Sequence, residues 1–334
     1  KEIDDNQLSK FIKFKLPNFI FIDIKFISWT PIFKLDPQFY DKVKDELSEI
    51  ANLLTRNRAT TLKDGKEWNI NSLHNLQHII VNPGFNYLEN LFEDQPVVVV
   101  AAGPSLNKNV EQLKEMEDKV IIISVSMALN TLLAHDITPD IIILIDSAET
   151  LIEIFAGLDK KKFSDTVLAF PGLIQPQVIQ EWPGPKLVTT IDQSEIITAW
   201  LEKYIDDKGR IFSGGSVAHS AFGLAYSLGG NPIIFVGQDL AFSNGRTHAK
   251  GSIVDRSVED SKKKSSNRKY FKIEDINGDL VWTRNDYYNY LRWFNNNLPE
   301  LKKKEEDLDI IDATEGGARI EGTEVMELKK VEEE

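Results

Sequence analysis

Apolar runs alternate with amphipathic stretches through the middle of this chain. Apolar, often β-branched runs end at glycine or polar positions at 97–101, 120–125, 141–146, near 167–170, near 187–190 and at 233–237, and segments of helical spacing lie between them. A short apolar run bounded by turn residues reads as a strand buried on both faces. The alternation predicts an α/β fold with a doubly wound, mostly parallel Rossmann-like sheet. Upstream, Phe39, Val43, Leu47 and Ile50 share one stripe from Pro37 to about Leu54, which predicts an amphipathic helix. From about Leu54 to Pro83 the chain reads as a turn and a helix around WNINSLHNLQHII. Short strands are expected over residues 1–35, including a half-buried one at Ile20, Ile22 and Ile24. Residues 1–80 are therefore taken as an N-terminal α/β extension and 81–334 as the main domain.

After the 233–237 strand the pattern changes. Residues 243–269 are poor in large apolar groups and rich in Ser, Lys and Gly, which predicts a long mobile, lid-like loop. YFKIEDINGDLVW follows as a hairpin with Asn277-Gly278 as a type I′ turn, then an aromatic-rich helix over 284–298. IIDATEGGARIEG supplies a last strand ending at Thr314, Glu315, Gly316 and Gly317, and the acidic tail VEEE is expected to be disordered.

Composition narrows the partners. The 334 residues are 42% hydrophobic and carry a formal net charge of -13, which argues against nucleic acid or an anionic membrane surface as the main partner. Without cysteine, thiol catalysis, disulfides and cysteine-ligated zinc are excluded. The most hydrophobic stretch, Phe11 to Trp29, is cut by Lys13, Lys15, Pro17, Asp23 and Lys25, so no transmembrane segment is expected. A cytoplasmic protein is expected. The sequence starts at Lys1 rather than Met, which leaves its natural start open.

Three strand ends carry the candidate chemistry. AAGPSL places Gly103, Pro104, Ser105 and Leu106 in a strand-to-helix turn, with Ser105 or Asn107 as cap and the N–H groups of Ser105, Leu106 and Asn107 as donors to an anion. DIIILIDSAE ends at Asp146, and NPIIFVGQDLAF ends at Gly237, Gln238 and Asp239. Between them Gly214, Gly215 and the cap Ser216 open a second helix. Ligands of open α/β sheets bind at the carboxyl ends of the strands, so these residues predict a nucleotide-sized polar pocket. Asp146 and Asp239 could bond a ribose or an acceptor, or hold Mg²⁺ if the substrate were a nucleoside triphosphate. Among the histidines, His248 follows Asp239 by a short loop and is the candidate general base, a task suited to a group titrating near neutral pH. His219 reads as packed or capping, His135 as exposed, and His74 with His78 as structural, because no third ligand accompanies them. No metal site is assigned.

AAGPSL, ITPDIIILIDSAE, GGSVAHSAFGLAYSLGGNPIIFVGQDLAF, GRTHAKG and DATEGGARI, in that order, resemble the bacterial motility-associated factor (Maf-type) flagellin glycosyltransferases. The resemblance runs from about residue 68 to 322 and is strongest where GQDLA is followed by THAKG. It implies transfer of a nonulosonic acid of the pseudaminic, legionaminic or sialic type from a CMP-activated donor to Ser or Thr of flagellin, with no bound cofactor. It also implies that Thr314, Glu315, Gly316 and Gly317 close the cytidine site. A weaker likeness extends to bacterial sialyltransferases, from which the chain departs at Ala102 and in DLVWTRND, which has no histidine. Archaeal 6-hydroxymethyl-dihydropterin diphosphokinases share the Gly-Pro-Ser turn, so a Mg²⁺-dependent diphosphokinase is an alternative, as is a non-catalytic nucleotide-sugar or flagellin-binding protein. Lys262, Lys263 and Lys264 are placed to meet the donor's carboxylate if the loop closes.

Overall fold

The computed structural model describes residues 34–190, 196–252, 254–264 and 268–333. The strands expected over residues 1–35 and the side chain of Ile50 lie outside that description. The chain divides into two compact units, Lys1–Glu67 and Trp68–Glu334.

In the first unit, helix α1 (Pro37–His74) begins where expected but continues through the segment read as a turn. Arg56 to Glu67 holds no proline and one glycine, so nothing local stops the helix.

The second unit takes the last turns of α1 and then α2 (Leu76–Val81). Asn75 separates the two helices by sending its amide to the carbonyls of Gly172 and Ile174, at 2.8 and 2.9 Å. Among the described residues eight strands build one sheet: β1 (Val97–Val100), β2 (Ile121–Val125), β3 (Ile141–Ile143), β4 (Val167–Phe170), β5 (Lys186–Val188), β6 (Ile233–Val236), β9 (Ile310–Asp312) and β10 (Glu324–Val325). Their order is β10-β9-β6-β1-β2-β3-β4-β5 and every pairing is parallel. The connecting helices are α3 (Leu106–Met116), α4 (Leu129–Ala134), α5 (Thr150–Ala156), α6 (Pro176–Glu181), α7 (Ile196–Leu201) and α8 (Val217–Ser227). All four residues of β1 and of β6 are buried, so both faces of the sheet are covered and the valine run needs no polar alternation.

The chain leaves β1 toward β5 on one side and returns to β6 on the other. Hence β1 and β6 form the topological switch point, where the carboxyl ends open a crevice. β3 stops three residues before Asp146: the Leu144 N–H makes the last bond to β4, at the Ala169 carbonyl, and the chain then leads into α5.

Beyond β6 the described part of 243–269 is built rather than loose. It holds a 3₁₀ turn at Ser243–Gly245, an antiparallel bridge between Arg246 and Ser257, and helix α9 (Val258–Lys264). The hairpin β7 (Tyr270–Glu274) and β8 (Leu280–Arg284) follows, but its turn is not type I′. Gly278 alone of the Asn-Gly pair has positive φ, and its N–H bonds the Asp275 carbonyl at 3.1 Å, which makes a three-residue loop with a glycine bulge. The Asp275 carboxylate accepts from the N–H groups of Asn277 and Asp279 and selects that shape. α10 (Asn285–Lys302) packs its aromatic face inward. The tail read as disordered forms α11 (Leu328–Glu333), where Glu332 pairs with Lys119 at 2.9 Å.

Candidate active site

Asp239, at the end of β6, is buried, 2% exposed, beneath the turn that follows β1. It accepts from Ser105 Oγ at 2.6 Å and from the Ser105 N–H at 3.2 Å. Burial raises its pKa above the usual carboxylate range, and the bonds from Ser105 oppose that rise. Ser105 therefore does not cap α3 with its side chain, as the sequence suggested, because Asp239 holds the hydroxyl. The three N–H groups offered to an anion are all engaged: Ser105 with Asp239, Leu106 with the Gly103 carbonyl at 3.1 Å, and Asn107 with the Pro104 carbonyl at 3.4 Å. Asp239 is thus a positioning carboxylate that locks the turn.

Close approach explains the glycines. A Cβ at Gly103 would fall on the Asp239 carboxylate and the Gly237 carbonyl. Gly237 and Gly317 have φ of +69° and +79°, and a Cβ at Gly317 would strike the Asp239 backbone. The β1, β6 and β9 ends are consequently pressed into one unit, with Gly316 lying against Ser105 and Ser243.

The THAKG segment docks on the same unit. The Ala249 N–H bonds the Ala102 carbonyl at 2.9 Å, the Lys250 N–H bonds Asn107 Oδ1 at 3.2 Å, and Thr131 bonds the Lys250 carbonyl at 3.1 Å. This brings His248 to the switch point. Burial, followed by the charge of Arg284, pushes its pKa down to about 4, so the imidazole is neutral at neutral pH; its Nδ1 has no partner among the described residues.

The second glycine turn behaves as expected. Ser216 caps α8 by accepting from the His219 N–H at 3.2 Å. Gly215 (φ +86°) is exposed with open space at its Cβ, whereas Gly214 lies against Trp293. The first N–H groups of α8 have no partners inside the helix, and its dipole favours an anion there. His219 is fully buried, bonds the Tyr290 carbonyl at 3.1 Å and packs on Trp293 and Phe294, which makes it a core residue.

At the β9 end, Thr314 Oγ1 accepts from the Gln238 N–H at 3.2 Å. Its own N–H reaches Asp312 at 3.1 Å. Glu315 (φ +56°) binds Asn109 at 2.7 Å and the Leu328 N–H at 3.0 Å through one carboxylate oxygen. It thereby ties α3 to the start of α11. Glu315→Ala should cost about 1–3 kcal/mol by leaving both donors unpaired, checked by urea unfolding; an unchanged midpoint would remove this tie.

Other candidates stand apart. Asp146 is exposed, and its carboxylate accepts from the Ala148 N–H at 3.0 Å. His135 pairs with Glu111 at 2.8 Å. Lys262 lies on the Trp282 ring at 3.8 Å, and Lys263 and Lys264 are exposed. Sequence reasoning missed Asn109, Arg284, Tyr287 and Asp312. A lone arginine closing a hairpin strand, as in DLVWTRND, was the available signal for Arg284.

The 6-hydroxymethylpterin diphosphokinase MptE-like family model matches residues 70–245, just over half of the chain. The chain belongs to the MptE-like family. The match takes in the Gly-Pro-Ser turn, Asp146, the Gly214–Ser216 turn and Asp239, whereas His248, Arg284 and Thr314 to Gly317 lie beyond it. An uncharacterized protein of Treponema pallidum (strain Nichols) is 27% identical over 248 residues, 71% of this chain and 42% of that protein. The structure of a Maf glycosyltransferase from Magnetospirillum magneticum AMB-1 shares the fold at a TM-score of 0.59 and 17% identity, over 83% of this chain and 42% of the other. This member of the family thus spans less than half the length of either relative. Among the described residues no helix is long and apolar enough to cross a membrane.

Proposed function

We propose that this MptE-like chain is a glycosyltransferase that moves a nonulosonic acid from a CMP donor to Ser or Thr hydroxyls of flagellin or a similar surface protein in the cytoplasm. The observation that carries the reading is the docking of THAKG on the Gly-Pro-Ser turn, which sets neutral His248 at the switch point. The fold shared with a Maf glycosyltransferase agrees with it.

In this reading the donor's phosphate lies toward the exposed N–H groups at Gly215 and the start of α8, which stabilise the charge that develops as the sugar–phosphate bond breaks. The acceptor oxygen bonds the oxocarbenium-like carbon, and its proton passes to the His248 imidazole. A histidine with a lowered pKa is a weak base that stays unprotonated in mild acid. The acid limb of kcat/KM is therefore expected near pH 4 rather than 6.5. His248→Ala should lower transfer by about 10²–10⁴-fold; transfer at the parental rate would remove the base assignment.

The family's description favours a second reading, a Mg²⁺-dependent diphosphokinase acting on a hydroxymethyl pterin. Against Asp239 as its metal ligand stands the engagement of that carboxylate by Ser105. Thermal unfolding with CMP, CTP and ATP, each with and without Mg²⁺, separates the two, because a ligand bound only by the native state raises the midpoint. A metal-independent shift with CMP supports transfer, whereas a shift only with ATP and Mg²⁺ overturns it.

A further inference from the structure

Arg284 ends β8 and is only 9% exposed. Its guanidinium lies over the Tyr287 ring at 3.9 Å, and the Asp286 carboxylate stands 2.7 Å from Nε as an ion pair without a hydrogen bond between the two atoms. Nη1 makes only a long contact to Ser261 Oγ at 3.5 Å, and Nη2 has no partner among the described residues. Asp286 is also shared with Arg268, at 3.4 Å, so one carboxylate faces two guanidinium groups. Lys262, one residue after Ser261, rests on Trp282 without a carboxylate partner among the described residues. A cation buried to this degree is normally paired. Here two guanidinium groups share one carboxylate and the neighbouring ammonium of Lys262 has none among the described residues, in a chain of net charge -13.

We infer that Arg284, with Lys262 and the hydroxyls of Ser261 and Tyr270, forms an oxyanion site beside His248. Ser261 Oγ and Tyr270 OH are already paired at 2.9 Å and so present a fixed polar edge between the two cations. A guanidinium held by stacking on Tyr287 and by the charge of Asp286 offers its terminal nitrogens as a fork, which matches a carboxylate or a phosphate. Resting on the transferase reading, which gives the donor phosphate the Gly215 turn, the site takes the donor sugar's carboxylate; the phosphate bound here instead is the other outcome of the test.

Calorimetric titration with CMP-N-acetylneuraminate and with CMP, using the parent, Arg284→Gln and Lys262→Gln, tells these apart. Lys262 is a surface side chain, so its variant keeps the fold if the arginine variant does not. If the site takes the sugar carboxylate, Arg284→Gln weakens CMP-N-acetylneuraminate binding about tenfold or more and leaves CMP unchanged. Lys262→Gln weakens it about two- to fivefold. If the site takes the phosphate, CMP weakens equally. Parental affinity for both ligands in both variants overturns the site. Should the parent bind neither nucleotide, the transferase reading fails by itself, and inorganic pyrophosphate then serves as the probe. A pyrophosphate-dependent rise in Tm that is lost in the variants sustains the oxyanion site, and an equal rise in all three, or none in the parent, overturns it.

Discussion

Gly103→Ala is expected to destabilise the protein by about 1–3 kcal/mol, the cost of forcing a methyl group into a close-packed site. The added Cβ would fall on the Asp239 carboxylate, which cannot retreat because Ser105 holds it through a hydroxyl and a backbone N–H. Asp239→Ala should cost a similar amount for the opposite reason, since Ser105 Oγ and N–H lose their acceptor in a buried place. The double variant separates the two effects. Removing the carboxylate makes room for the methyl group, although the Gly237 carbonyl still opposes it, so the double cost should fall short of the sum by about 0.5–3 kcal/mol. Strict additivity in urea unfolding would show that the two residues do not share the turn.

Asp312→Asn should raise stability at pH 7.5 by about 1–3 kcal/mol and leave it unchanged at pH 4. Asp312 is 1% exposed with one carboxylate oxygen lacking a partner, and burial pushes its pKa up to about 6. An acid whose folded pKa is raised contributes fully below its unfolded value, about 4, and that contribution is lost as the pH climbs through about 6. About two pKa units correspond to roughly 3 kcal/mol, of which part returns as misfit of the new amide. His219 and His248 act in the opposite direction. Both are lowered to about 4, so their stabilisation is present above about 6.5 and is lost as the pH falls through about 4. In the parent these trends partly cancel between pH 4 and 6. The asparagine variant should therefore lose stability more steeply on acidification. Parallel curves of Tm against pH for the two proteins would count against an elevated Asp312.

The strands illustrate what patterning carries by itself. β1 and β6 are buried runs without polar alternation, and that alone places them in the middle of a covered parallel sheet. The glycine at 103 and the acid at 239 were legible as neighbours at one sheet edge, because the strand-helix alternation sends every such turn to the same side. The direction in which their polar atoms point was not. Ser105 could equally cap α3 or bond a distant carboxylate, and 134 residues separate it from Asp239. Local rules cannot choose between partners of that separation.

The segment 243–269 was misread for a related reason. Its few apolar groups promise little burial, yet the Ala249 N–H bonds the Ala102 carbonyl at the finished edge of the sheet, and Thr247 bonds Arg256 across the segment itself. The Asn277-Gly278 turn was read from a dipeptide preference, and the Asp275 side chain overrode it. The sequence by itself determined the sheet, its two glycine turns and the edge on which a ligand would sit, since hydrophobic period and backbone sterics are local properties. The tertiary structure alone decided which acids are buried clamps and which arginine is left with open donors, because burial and long-range pairing exist only once the chain has closed on itself.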